Sequence, residues 1–149
     1  MIISKYTLAE QVGRDKALLI LGGKTKIVEV EEPSAPYDLS GSTLSNNFFI
    51  EVKYRKCKSN TYDSDLLEYL KHKRMQNAVG EDDLRYYFVI YADGVARLYQ
   101  LNNLNLDKVR ITNFDCPNSS VEDKGTKEKL CVELPFAVAK KTYKINGKV

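Results

Sequence analysis

The sequence predicts an α/β or α+β fold, a central mixed β-sheet flanked by helices. Three observations carry this. A segment with helical punctuation opens the chain and is followed by short runs of β-branched and aromatic residues. Between residues 48 and 91 a strand, a helix and another strand follow in turn, the order of a right-handed crossover between parallel strands. An Asp93-Gly94 hairpin signal then reverses the chain and adds an antiparallel part to the sheet.

The elements follow in order. Residues 4–21 read as a helix: Thr7-Leu8-Ala9-Glu10 matches a capping box, Leu8, Val12 and Leu19 fall near one face, and Gly22-Gly23 ends it. Residues 24–32 suggest a strand through Ile27, Val28 and Val30, interrupted by Pro33 and Pro36. Tyr37-Asp38-Leu39 resumes it before a polar turn over residues 40–47. Residues 48–54, FFIEVKY, form the clearest strand of the first half. A second helix is expected over residues 63–77, capped by Asp63 or Ser64, with Leu66, Leu67 and Leu70 on its apolar side. Residues 85–91, RYYFVIY, have the density of a buried strand, and residues 94–101 return as its type I′ hairpin partner. Strands are expected at 108–114 and 130–134, with a polar loop over 117–129, while 136–145 fits no single state.

Composition bounds the classes. A chain of 149 residues, 43% apolar and 29% charged, suits one soluble domain with a real core. No apolar run is long enough to span a bilayer, and the start MIISKYTLAEQ lacks the pattern of a secretory signal, so the expected location is intracellular, the cytoplasm, with no membrane partner. The net charge of +3 does not by itself imply nucleic acid. Its distribution says more: Lys53, Arg55, Lys56 and Lys58 crowd together, and Lys124, Lys127, Lys129, Lys140, Lys141, Lys144 and Lys148 fill the last quarter. Such stripes can track a phosphate backbone or can be solvated surface. Cys57, Cys116 and Cys131 are odd in number and without metal-ligand spacing, which suits free thiols in a reducing compartment.

The chemistry concentrates in Asp38, Glu51 and Lys53. Metal-assisted phosphodiester hydrolysis needs oxygen ligands for a hard cation such as Mg²⁺ and a nearby positive charge for the phosphate. Glu51 and Lys53, two apart on a strand, point to one side, roughly 7 Å apart along it. Ile50 and Val52 then face the core. If residues 37–39 pair with 49–53, Asp38 comes close to Glu51 and the two acids can share one metal. The spacing alone is weak: chance supplies about two acid-x-Lys pairs in so charged a chain. There are indeed two, and the other, Glu122-x-Lys124, lies in a polar stretch without a strand or an upstream partner.

Pro36-Tyr37-Asp38 followed by Glu51-Val52-Lys53 on the next strand resembles the signature of the PD-(D/E)XK nuclease superfamily. The likeness covers about residues 4–91, and Tyr37 departs from it by separating Pro36 from the acid. The resemblance implies a restriction-endonuclease-like or junction-resolvase-like core over about residues 4–101, with 102–149 as a C-terminal extension. It implies that Asp38 and Glu51 bind Mg²⁺ or Mn²⁺ and that Lys53 contacts the scissile phosphate or the attacking water. Glu10 is its candidate for an auxiliary acid on the first helix, although Glu10 can equally complete the capping box with Thr7. Arg55 continues the face of Lys53, as a phosphate contact or as surface charge. Glu31 and Glu32 suit a solvated strand end or an extra acid, Lys71, Lys73 and Arg74 a solvated helix face or contacts to a nucleic-acid backbone, and His72 an exposed position among lysines. The leading expectation is an endonuclease acting on DNA, a homodimer by analogy. The alternatives are an RNA-cleaving nuclease and a non-catalytic nucleic-acid-binding or assembly subunit that keeps the fold.

Overall fold

The structure, a computed structural model, describes residues 8–22, 26–32, 34–117 and 126–145. The capping box, Gly23 and the Glu122-x-Lys124 pair therefore lie wholly or partly outside the described residues. Helix α1 (Leu8–Leu21) leads into β1 (Ile27–Glu29), β2 (Leu39–Ser42) and β3 (Asn47–Arg55). Then come β4 (Ser64–Glu68), α2 (Tyr69–Ala78), β5 (Leu84–Tyr91) and β6 (Val95–Gln100). The remaining strands are β7 (Arg110–Pro117), β8 (Thr126–Pro135) and β9 (Lys141–Lys144). The expected mixed sheet is present, with six strands in the order β1-β2-β3-β5-β6-β9. In it β3 and β5 are parallel and every other pair is antiparallel. A second, antiparallel sheet of order β4-β8-β7 was not foreseen. Residues 102–149, read from sequence as an extension, thus supply β7, β8 and the edge strand β9.

The six-stranded sheet is covered on both faces. On one face Ala17 of α1 packs with Leu39, Phe48, Ile50, Phe88, Ile90 and Ala96. On the opposite face Tyr87, Val89, Tyr91, Tyr99 and Leu101 pack with Leu67, Val132 and Leu134 of the small sheet and Met75 of α2. Because β5 is buried on both sides, its sequence is a continuous apolar run rather than an alternation.

Four expectations change. Helix α1 docks through Gly13, Arg14 and Ala17, whereas Leu8 and Leu19 are 78% and 84% exposed. Small residues set this approach: a Cβ on Gly13 would stand 3.1 Å from Tyr54 Cβ. The helix expected from residue 63 begins at Tyr69, because residues 64–68 alternate in burial and pair with β8 from Cys131 to Pro135. Leu66 and Leu67 are therefore strand residues, and Leu70 is 71% exposed on α2. The β5–β6 turn is not type I′. Within the turn only Gly94 has positive φ (89°), and its N–H donates to Tyr91 O at 3.1 Å, so a three-residue loop ends on a left-handed glycine. Finally, β2 runs into the expected polar turn, where the Phe48 ring lies over Gly41 so closely that an added Cβ would meet it at 2.3 Å.

Candidate active site

The pairing on which the sequence argument depended is present. β2 and β3 run antiparallel with Leu39 opposite Ile50, and the Asp38 N–H donates to Ile50 O at 2.8 Å. On its other side Asp38 O accepts from Val30 N at 2.8 Å, so the residue is held by backbone between two strands. Its carboxylate is held as firmly. Oδ2 accepts from Val52 N at 2.8 Å, and Oδ1 accepts from Arg14 Nε at 3.0 Å and Nη2 at 2.8 Å. Arg14 is itself 2% exposed and anchored by Nη1 to Val30 O, which fixes the α1 end of the site.

Glu51, Lys53 and Arg55 alternate along β3 with core-facing Ile50, Val52 and Tyr54, as a period of two requires. They face the layer formed by α2 and the small sheet. Burial, and secondly the nearby Asp38 carboxylate, push the Glu51 carboxyl up to about 8. Lys71 Nζ opposes this effect from 3.4 Å. Burial, followed by the cations Lys71 and Arg55, pulls the Lys53 ammonium below its ordinary value. Arg55 is drawn into the layer interface, where Nη2 donates to Leu66 O at 3.0 Å beside the Tyr87 hydroxyl on the same carbonyl at 2.8 Å.

The structure therefore brings Asp38, Glu51 and Lys53 together. Glu10 lies exposed in the first turn of α1, and the α1 side chain that meets Asp38 is the cation Arg14. Glu31 and Glu32 are exposed. Sequence reasoning missed Lys71 and Glu68: Lys71 Nζ lies 3.4 Å from Glu51 and 3.4 Å from Glu68, whose other oxygen takes Lys129 Nζ at 3.1 Å. A spacing of three between Glu68 and Lys71 was the available signal, and by itself it marks no more than an ordinary helix-surface pair.

The donor set suits a hard divalent cation. Two oxygen-donor carboxylates share a confined space, and their mutual repulsion is what a bound cation would relieve. Among the described residues no three His, Cys, Asp or Glu side chains cluster as a closed metal cage. Two carboxylates completed by water and phosphate are the arrangement Mg²⁺ commonly accepts.

His72, expected to be exposed, is buried at 3% exposure, because α2 turns His72 and Met75 toward the sheet. Burial first, then Arg85 and Lys73, lower its imidazole to about 4. A group with a folded pKa below its unfolded value binds fewer protons when folded, so the stability it permits is full above pH 6.5 and is lost as pH falls toward 4. Urea titrations of the two proteins side by side are expected to show His72→Gln gaining stability relative to wild type at pH 4.5 compared with pH 7.

Among solved structures, the chain is similar in fold to the Holliday junction resolvase Hjc of Archaeoglobus fulgidus. The TM-score is 0.54 and the identity 13%, over 93% of this chain and 93% of that one. No protein-family model matches the sequence, and no curated protein matches it significantly. The mixed α+β architecture expected from the nuclease resemblance is the architecture observed.

Proposed function

We propose that this chain, sharing its fold with a junction resolvase, is a divalent-metal-dependent endonuclease that hydrolyses DNA phosphodiester bonds, acting as a homodimer on branched duplexes. The observation that carries the reading is the meeting of Asp38 and Glu51 across the β2–β3 pair, with Lys53 on the Glu51 side of β3. Asp38 and Glu51 would hold Mg²⁺ or Mn²⁺, which when bound supplies Lewis-acid stabilisation of the phosphate and a more acidic water. The chain's own residues do the rest. Val52 N–H and Arg14 orient the Asp38 carboxylate. Lys53, partly desolvated, offers an ammonium to the charge that develops on the phosphate. Arg55 acts as a positioning residue by tying β3 to β4 through Leu66 O.

The test compares a four-way DNA junction with a linear duplex of the same sequence, in Mg²⁺, Mn²⁺ and EDTA. Paired nicks near the branch point that require the metal are the expected result. Binding without cleavage in either metal would sink the catalytic reading in favour of a non-catalytic subunit. Cleavage of RNA but not DNA would sink the substrate assignment.

A further inference from the structure

In this structure each carboxylate of the site already has a cation. Arg14 serves Asp38, Lys129 serves Glu68, and Lys71 lies between Glu51 and Glu68. A divalent ion settling between Asp38 and Glu51 would add two positive charges, so a resident cation has reason to withdraw. The three differ in freedom. Arg14 has a 3% exposed side chain and donates through all three guanidinium nitrogens, to Asp38 and Val30. Lys129 pairs with Glu68, not with either acid of the proposed metal pair. Lys71 has a 43% exposed side chain, and its two contacts are equal and long, 3.4 Å to Glu51 and 3.4 Å to Glu68.

We infer that Lys71 is a tethered counter-ion for the metal site: its ammonium occupies a Glu51 oxygen until a divalent cation arrives, then withdraws to Glu68. Glu68 is the receiving acid, and Lys129 holds its other oxygen so that the carboxylate stays oriented toward α2. Lys71 thereby sets the concentration of metal at which the site fills. This inference rests on the proposed metal role of Asp38 and Glu51.

Mn²⁺ binding followed by calorimetry tests it on the full chain as wild type, Lys71→Met, Glu68→Gln and Glu51→Gln, with no nucleic acid present. Lys71→Met is expected to tighten Mn²⁺ binding about tenfold or more, the scale for removing one charge about 4 Å away at the edge of a protein. Glu68→Gln is expected to weaken binding, because Lys71 then has no second acid to accept it. Binding in Lys71→Met that is unchanged or weaker, while Glu51→Gln abolishes wild-type binding, overturns the counter-ion role and leaves the metal site standing. Absence of Mn²⁺ binding in both wild type and Lys71→Met overturns the metal site itself and the inference with it. A thermal scan without metal guards against misfolding, and the partial exposure of Lys71 favours a folded variant.

Discussion

Glu51→Ala is expected to lower metal-supported DNA cleavage about a thousandfold or more, because charge stabilisation by a bound metal is worth several kcal/mol. Lys53→Ala is expected to cost about 10²–10³, the scale of one preorganised group facing developing charge. The two losses differ in kind. Glu51→Ala removes a proposed metal ligand and should abolish Mn²⁺ binding, whereas Lys53→Ala should leave binding intact. A stability control separates chemistry from folding. Glu51 has a folded pKa of about 8 against an ordinary 4.5, so the stability tied to its protonated form is full below 4.5 and lost as pH rises through 8. Glu51→Gln keeps the neutral shape and should therefore make the metal-free protein more stable than wild type at pH 8, with the gap closing toward pH 4.5. Equal cleavage by wild type, Glu51→Ala and Lys53→Ala would exclude the site.

The second large effect lies away from the site. Asp65 on β4 is fully buried and accepts from the hydroxyls of Tyr91 and Tyr99 and from Arg97 Nη1 at 3.3 Å. Arg97 is 7% exposed, donates to Ser59 O at 3.1 Å and stacks on the Phe136 ring at 3.6 Å. Asp65→Ala would leave a buried guanidinium without its counter-charge and take the acceptor from two buried hydroxyls. The expected cost is about 3–5 kcal/mol in urea denaturation, the range for breaking one partner out of a buried ion pair. Arg97→Ala should cost a similar amount, and the double variant less than the sum, because both act on one network. A loss under about 1 kcal/mol for Asp65→Ala would show that the network does not hold β4 to the central sheet.

What was legible in the sequence was local. Glu51 and Lys53 share a face because a strand alternates, and Asp38 reaches Glu51 because one turn returns β2 against β3. What was not legible depended on distant pairing. The small sheet joins residues 64–68 to 131–135, and nothing near Ser64 announces that partner. Without it, residues 64–68 fell inside the expected helix over 63–77, with Leu66 and Leu67 on its apolar side. The same misplaced boundary hid Lys71, which reaches Glu51 only because α2 starts after β4 instead of containing it. His72 looked like surface because its neighbours are lysines, yet α2 turns it inward with Met75. In α1 the leucines looked like the packing face, but Gly13 and Ala17 permit the close approach.

The central claim is that Asp38 and Glu51 form one metal-binding pair. Anomalous scattering from crystals grown with Mn²⁺ tests it most directly. A single strong peak within first-coordination distance of oxygens from both Asp38 and Glu51, and lost in Glu51→Gln crystals, is the expected result. A peak elsewhere on the chain, or none between those carboxylates at saturating Mn²⁺, would contradict it.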